Sequence, residues 1–562
     1  MFRMTSLSSP VRAKTGLVLL LLSGAQFLMT LDSSVMNVSM ATVANDLGTP
    51  ITGIQTAIAL YTLVMATLML AGGKLGSILG RRRAFGIGLA IYGAGSLTTA
   101  LAPNLTVLII GWSFLEGMGA ALIMPAIVAL VATNFPPAKR AAAYGTVAAS
   151  GAMAVAAGPL IGGAVTAFAS WRYVFAGEVV LVIVLLVSLR RLKDASAAPA
   201  SLDLPGTALW IVGLGSVVLG VLRSSEWGWV IPLPGGPAIL GLSPTFWMIC
   251  LGLVTLYAFL AWQRHLIRAE REPLLDVRLF ANQRLTGGLS IFFAQFLIQA
   301  GVFFAIPMFL SIVLELNALQ TGLRILPLSF ALLAAAIGIP KMFPKASPRR
   351  IVRIGLVLLA LGIGVLVGGM SPGADASVVV IPMLLLGLGL GCLSSQIGAV
   401  TVSALPDERS AEVGGLQNTV TNLGASLGTA LIGSVLITGL TASALAGIQT
   451  SPNISPEDQA VVTSAATTTL AAGVPFISDS QLSQALDETT LTEQTKQEII
   501  AINDASRYDA LKKSFAVTGF AALGALLLTG RIPAAPTGTT PGDSSQTRPE
   551  QPTKTRRPKR RS

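Results

Sequence analysis

The 562 residues are 52% hydrophobic and only 11% charged, with a mean hydropathy of +0.72. Ordinary soluble domains carry roughly a quarter charged residues, so this chain has too few to clothe a soluble surface and too much apolar bulk to be disordered. Two cysteines exclude a disulfide framework, the single histidine, His265, excludes a multi-histidine metal site, and the net charge of +12 has to be judged by where the basic residues fall.

A bilayer core of about 30 Å takes roughly 20 apolar residues in a helix. Fourteen stretches reach that length: 15–38, 54–73, 84–102, 105–132, 143–168, 172–189, 206–223, 245–263, 286–313, 322–340, 351–370, 377–403, 415–440 and 512–530. Their apolar runs are continuous rather than alternating, which points to helices and not to a β-barrel. The first stretch ends in the polar Asp32 and Asn37 and lacks a small-residue cleavage site, so it reads as a retained helix rather than a signal peptide. Starting the chain in the cytoplasm and alternating leaves only seven of the 38 basic residues outside: Arg172, Arg223, Arg324, Lys496, Arg507, Lys512 and Lys513. That asymmetry supports an even number of spans with both termini inside, in the plasma membrane. Residues 441–511 form a long outer loop rich in acids, with short surface helices expected near Ser480–Leu486 and Leu491–Ile502. Residues 531–562, ending in RRPKRRS, read as a disordered basic cytoplasmic tail that faces anionic lipid, not nucleic acid.

The chain also matches itself. At a shift of 267, Lys74, Arg82, Arg83, Ile87, Gly88, Leu89 and Gly95 fall on Lys341, Arg349, Arg350, Ile354, Gly355, Leu356 and Gly362. At a shift of 270, Gly117, Gly119, Pro136, Gly145, Gly158 and Gly163 fall on Gly387, Gly389, Pro406, Gly415, Gly428 and Gly433. The expected organisation is a six-helix half over 1–190, a linker with two inserted helices over 191–263, a second six-helix half over 264–530 and the tail over 531–562. Two such halves rocking about a central site make a transporter architecture.

Two glycine-rich motifs stand out. GGKLGSILGRRRAF, residues 72–85, offers Gly73, Gly76 and Gly80 for a tight turn after the second stretch, with Ser77, Arg81 and Arg82 as a candidate gating element. GAMAVAAGPLIGG, residues 151–163, spaces Gly151, Gly158, Gly162 and Gly163 for close helix approach, and Pro159 invites a bend. With LDSSVMNVSM at 31–40, SWR at 170–172 and GLQNTVTNLGASLGTAL at 415–431, these motifs resemble the major facilitator superfamily and, within it, the fourteen-helix drug:proton antiporters. The resemblance implies an all-α integral membrane protein with two pseudo-symmetric halves, alternating access, and efflux driven by proton entry. The chain departs from that family's pattern in three places. Ser77 and Ile78 stand where an acid and a basic residue are usual. Ser113 and Glu116 stand where an arginine and a glutamine are usual, and Glu178 stands where Asn is common.

Of the 26 acids, only Asp32, Glu116 and Glu178 fall inside the stretches, and no basic residue lies well inside one. At 1.5 Å per residue, Asp32 and Glu178 sit about 10 Å below the outer surface and Glu116 about 17 Å in. A carboxylate stranded there costs several kcal/mol unless it is paired, solvated or protonated. The three acids are therefore the candidate proton-coupling and substrate residues. Gln295 and Gln299 stand one helical turn apart in the ninth stretch, with Gln299 at the repeat position of Asp32, and are candidates for the other wall of the cavity. No G-x-x-x-x-G-K-[ST] motif and no nucleophile–histidine or metal-ligand set occurs, so an enzyme, a cofactor and a bound metal are not expected. The expected partners are a small-molecule substrate, protons and lipid, acting on a monomer. Two other readings remain open: an exporter or flippase of an endogenous lipid or secondary metabolite, and a non-transporting membrane scaffold or sensor.

Overall fold

The computed structural model describes residues 10–194, 201–233, 236–373, 375–402, 404, 410–456, 459, 478–489 and 491–534. The tail from 535 onward and the middle of the 441–511 loop lie outside the described residues. The described residues are mainly helical: α1 Pro10–Asp46, α2 Ile51–Leu79, α3 Arg81–Ala100, α4 Leu105–Asn134, α5 Pro137–Phe168, α6 Arg172–Ser188, α7 Leu204–Trp227 and α8 Pro244–Arg268. There follow α9 Gln283–Val313, α10 Ala318–Met342, α11 Pro348–Gly369, α12 Val380–Val402, α13 Ser410–Thr450, the short α14 Asp479–Asp487 and α15 Glu493–Leu528.

Among the described residues, twelve helices are long and apolar enough to cross a membrane, or thirteen when the two arms of α5, Ala143–Val155 and Ala157–Phe168, are taken as one span bent by 41°. Fourteen spans were expected. The stretch at 84–102 does form a helix, α3, but Arg81–Arg83 and a run of glycine, serine and threonine make it the least apolar of the set. Two boundaries also move. Residues 441–450 continue α13, and the surface helix expected at 491–502 is instead the first part of the continuous α15. The loop between them is correspondingly shorter. The helix expected at 480–486 is α14, which opens on a capping box between Ser478 and Gln481.

The 72–85 motif is not a multi-glycine turn. Gly73 and Gly76 remain inside α2, and the chain breaks only at Gly80, whose φ of 92° favours glycine. Arg81 folds back on α2, donating to the Gly73 carbonyl at 2.9 Å and to Ser77 Oγ at 2.6 Å. Ser77 thus accepts from an arginine side chain. Arg82 donates through its backbone to Asp194 Oδ1 at 3.0 Å and through its side chain to the Leu192 carbonyl at 3.3 Å.

The internal repeat reappears as repeated packing. A β-carbon on Gly88 would lie 2.9 Å from the Gly119 carbonyl oxygen, and one on Gly119 2.7 Å from that of Gly88. Gly355 and Gly389, shifted by 267 and 270, meet the same way at 2.8 Å in both directions. Gly117 faces the Tyr61 carbonyl and Val64; its counterpart Gly387 faces the Leu328 carbonyl and Ala331. Arg349, the counterpart of Arg82, donates to the Ile532 and Gly530 carbonyls at 2.7 and 2.9 Å, just past α15. Each arginine therefore ties its loop to the chain leaving a last helix.

The two sets of helices meet through α5 on α10 and α2 on α13. Gly322 leaves room for the Pro159 carbonyl, and Gln55 Nε2 donates to the Thr429 carbonyl at 3.4 Å. In α5, Gly158 lies against Ser34 and Gly162 against Val35 of α1, Gly163 lies against the Ala318 carbonyl, and Gly151 reaches Gln26. The glycine run thus serves two neighbours at once. The α7–α8 pair lies against α2 and α13 through Trp210 Nε1 on the Ala66 carbonyl at 3.4 Å and the Ser224–Ser434 hydroxyl pair at 2.5 Å. Most of α8, including Leu251, Val254 and Tyr257, is left facing outward. At the end where α1 finishes, α14 bridges several elements. Gln481 donates to Asn45 at 3.0 Å, the Ser480 N–H donates to Glu315 at 3.1 Å, and Asp479 pairs with the fully buried Arg507 at 2.6 Å.

Candidate functional site

The three acids singled out from the sequence converge. Asp32 on α1, Glu116 on α4 and Glu178 on α6 each place a carboxylate oxygen within 4.8 Å of the other two. All three side chains are buried, at 0, 0 and 3% exposure. They meet more closely than their separate depths suggested, because α1 runs to Asp46 rather than ending near residue 38. Among the described residues none of the three takes part in an ion pair; Arg172, the cation nearest Glu178 in sequence, pairs instead with Asp46 and donates to the Ala102 carbonyl at 2.9 Å.

Local backbone decides how Glu116 reaches this place. Residues Ile109–Glu116 form a π-helical turn inside α4, and such wide turns are frequent at functional sites. The turn also presents Trp112, whose indole Nε1 donates to both oxygens of Asp32, at 2.8 and 2.9 Å. The Trp112 ring stacks on Tyr61 of α2 with centroids 4.9 Å apart and planes 3° from parallel. From α3, Thr99 Oγ1 lies 3.1 Å from Glu116 Oε1 and Ser96 Oγ lies 3.1 Å from Glu178 Oε2. Glu116 Oε2, Glu178 Oε1 and the hydroxyls of Tyr61 and Tyr92 are buried without a hydrogen-bond partner of ordinary length.

This arrangement cannot carry three negative charges. Like charges a few ångströms apart, out of water and without a counter-ion, are relieved only by binding protons or a cation. The oxygens are close enough to share one ion, but proton sharing needs no change in geometry. The residues that complete the site, Tyr61, Tyr92, Ser96, Thr99 and Trp112, were not anticipated. One signal was present: Tyr92, Ser96 and Thr99 recur at helical spacing along a single face of an otherwise apolar stretch.

The glutamines lie elsewhere. Gln295 Nε2 donates to Ser394 Oγ at 2.8 Å, joining α9 to α12, and Gln299 is half-buried one turn further on. Neither enters the acid cluster.

The family model described as Major Facilitator Superfamily matches residues 22–429. The "Puromycin resistance protein pur8" of Streptomyces alboniger is 30% identical over 443 residues, covering 78% of this chain and 84% of its own. The "Multidrug resistance protein Stp" of Mycobacterium tuberculosis is 28% identical over 434 residues, covering 76% of this chain and 78% of its own. Among solved structures, a bacterial homologue of the human lysosomal transporter Spinster in an inward-facing, unoccupied conformation aligns with a TM-score of 0.58 at 13% identity, over 93% of this chain and 98% of its own. At that identity the likeness is one of fold.

Proposed function

The chain belongs to the Major Facilitator Superfamily, and from that premise we propose that it exports hydrophobic or cationic drugs and toxic compounds across the plasma membrane in exchange for protons, by alternating access. It is a multi-pass membrane transporter and not an enzyme. Relatives named for puromycin resistance and multidrug resistance support drugs as the cargo class. The observation that carries the proton-coupled reading is the buried cluster of Asp32, Glu116 and Glu178, with no cation paired to it among the described residues. Three carboxyl groups held in a dry bundle have no use as structural cement, because an apolar core packs as well at lower cost. They are of use to a protein that must take up and release protons.

The proposed organisation is a first half over 1–190, the inserted helices 7 and 8 within 191–263, and a second half over 264–530, with both termini in the cytoplasm. The repeated glycine crossings and arginine ties support this division. In it, the acids sit within the first half, among α1, α2, α3, α4 and α6, and Gln295 and Gln299 face the second half's side of the transport path. Dye efflux from proteoliposomes with an imposed pH gradient, with and without a protonophore, tests the reading. Gradient-dependent efflux abolished by protonophore is expected. Efflux indifferent to both would overturn it.

A further inference from the structure

We propose that Glu116 is the member of the cluster that holds the exchangeable proton, and that Thr99 is the positioning residue that sets how tightly it does so. The inference rests on the proton-coupled reading above and follows from counting hydrogens.

Thr99 Oγ1 lies 2.9 Å from the Gly95 carbonyl oxygen and 3.1 Å from Glu116 Oε1. A hydroxyl has one hydrogen to give and lone pairs to receive. The Gly95 carbonyl has no hydrogen, so that contact uses the Thr99 hydrogen. The contact with Glu116 is then satisfied in only one way, with a protonated Glu116 donating and Thr99 accepting. Glu116 Oε2 points the same way, since among the described residues it has no partner within ordinary hydrogen-bond length. A bare oxygen is far less costly on a neutral acid than on a buried carboxylate.

The other two acids differ. Asp32 receives the Trp112 N–H between its two oxygens, and an indole only donates, so this contact favours the carboxylate. Glu178 Oε1 is bare as well, but the Ser96 hydroxyl 3.1 Å from Oε2 is not committed to a backbone carbonyl as that of Thr99 is, so it serves Glu178 in either protonation state. An ionised Asp32 within 4.8 Å is itself a reason for Glu116 to stay neutral. The titratable groups facing Glu116 from the packed helices are Asp32 of α1, Tyr61 of α2, Tyr92 of α3 and Glu178 of α6, and none is basic. The geometry is fixed from behind: a β-carbon on Gly95 would lie 2.6 Å from Glu116 Cγ, and one on Gly111 2.7 Å from Thr99 Oγ1. When Glu116 gives up its proton it is left a carboxylate without a donor from Thr99, because the Thr99 hydrogen stays on the Gly95 carbonyl.

The test is infrared spectroscopy of the full-length protein in lipid, titrated with pH, alongside ethidium transport in proteoliposomes. The wild type is expected to show a carboxylic-acid C=O band at neutral pH that Glu116→Gln removes, and Glu116→Gln is expected to lose gradient-driven ethidium efflux while retaining ethidium exchange. Thr99→Val deletes the acceptor and is expected to move the half-amplitude pH of that band down by about half to one unit, with Thr99→Ser restoring it. A shift upward would mean that the hydroxyl donates to a carboxylate, and an unmoved midpoint would mean that Thr99 only packs; either overturns the proposal. If Thr99→Val does not fold, survival of the band in Glu116→Gln is by itself sufficient to reject it. A wild type with the band but no gradient-driven efflux would instead reject the proton-coupled reading.

Discussion

The crossing of α3 with α4 and the crossing of α11 with α12 share a backbone and bury different chemistry. Gly88 and Gly119 bring the first pair together as Gly355 and Gly389 bring the second. Yet the positions that in the first pair and its neighbour α2 hold Tyr61, Tyr92, Ser96, Thr99 and Glu116 hold Leu328, Leu359, Ile363, Leu366 and Leu386 in the second, all at most 2% exposed. The second core shows that aliphatic side chains suffice to hold this crossing. The polar, acidic core of the first is therefore an added cost, which fits the proton chemistry proposed for it.

The largest expected contrast is in transport. Asp32→Asn is expected to lower gradient-driven efflux by about a hundred-fold, whereas Gln299→Leu, at the corresponding position of the second half, leaves the proton dependence in place. Comparable loss in both would mean that the halves divide the chemistry. Next is stability. Leu386→Glu places an unpaired carboxyl in the apolar core and is expected to cost about 3–5 kcal/mol, while the reverse change, Glu116→Leu, is neutral or stabilising; thermal unfolding in detergent reads both. Destabilisation by Glu116→Leu of the same size would make the acid structural after all. The shared backbone predicts equal penalties for Gly119→Val and Gly389→Val, about 1–3 kcal/mol each, since both side chains would run into a carbonyl oxygen across the same crossing.

The smallest effect lies outside the membrane. The Ser480 backbone N–H on Glu315 holds that carboxyl below its usual range. The stabilisation it gives the docking of α14 is therefore full above the ordinary carboxylate value and is lost as pH falls through the depressed one. Hydrogen exchange over 478–489 is expected to quicken as pH falls below the ordinary carboxylate range, and Glu315→Gln removes that dependence.

Much of this was legible in the residues. Each of the fourteen apolar stretches coincides with a helix, because a chain in lipid must satisfy its backbone internally and an uninterrupted apolar run can do so only as a helix. Where the reading fell short, the cause was local chemistry. Gly73 and Gly76 look like turn residues but sit in a helix held by Arg81, and 493–511 is polar because it extends beyond the apolar part of α15. The three acids were identifiable one at a time by the absence of any cation within the spans.

The sequence by itself determined that the chain lives in a membrane, that its architecture repeats, and that Asp32, Glu116 and Glu178 are out of place in oil; composition and spacing carry those facts because lipid tolerates so few alternatives. Only the tertiary structure decided that the three meet. Their contact depends on the π turn at Ile109–Glu116, which resets the face on which Trp112 and Glu116 emerge, and on glycines that let α3 and α4 touch. Those rotations between helices leave no mark in hydropathy, since a residue facing lipid and one facing a neighbouring helix are equally apolar.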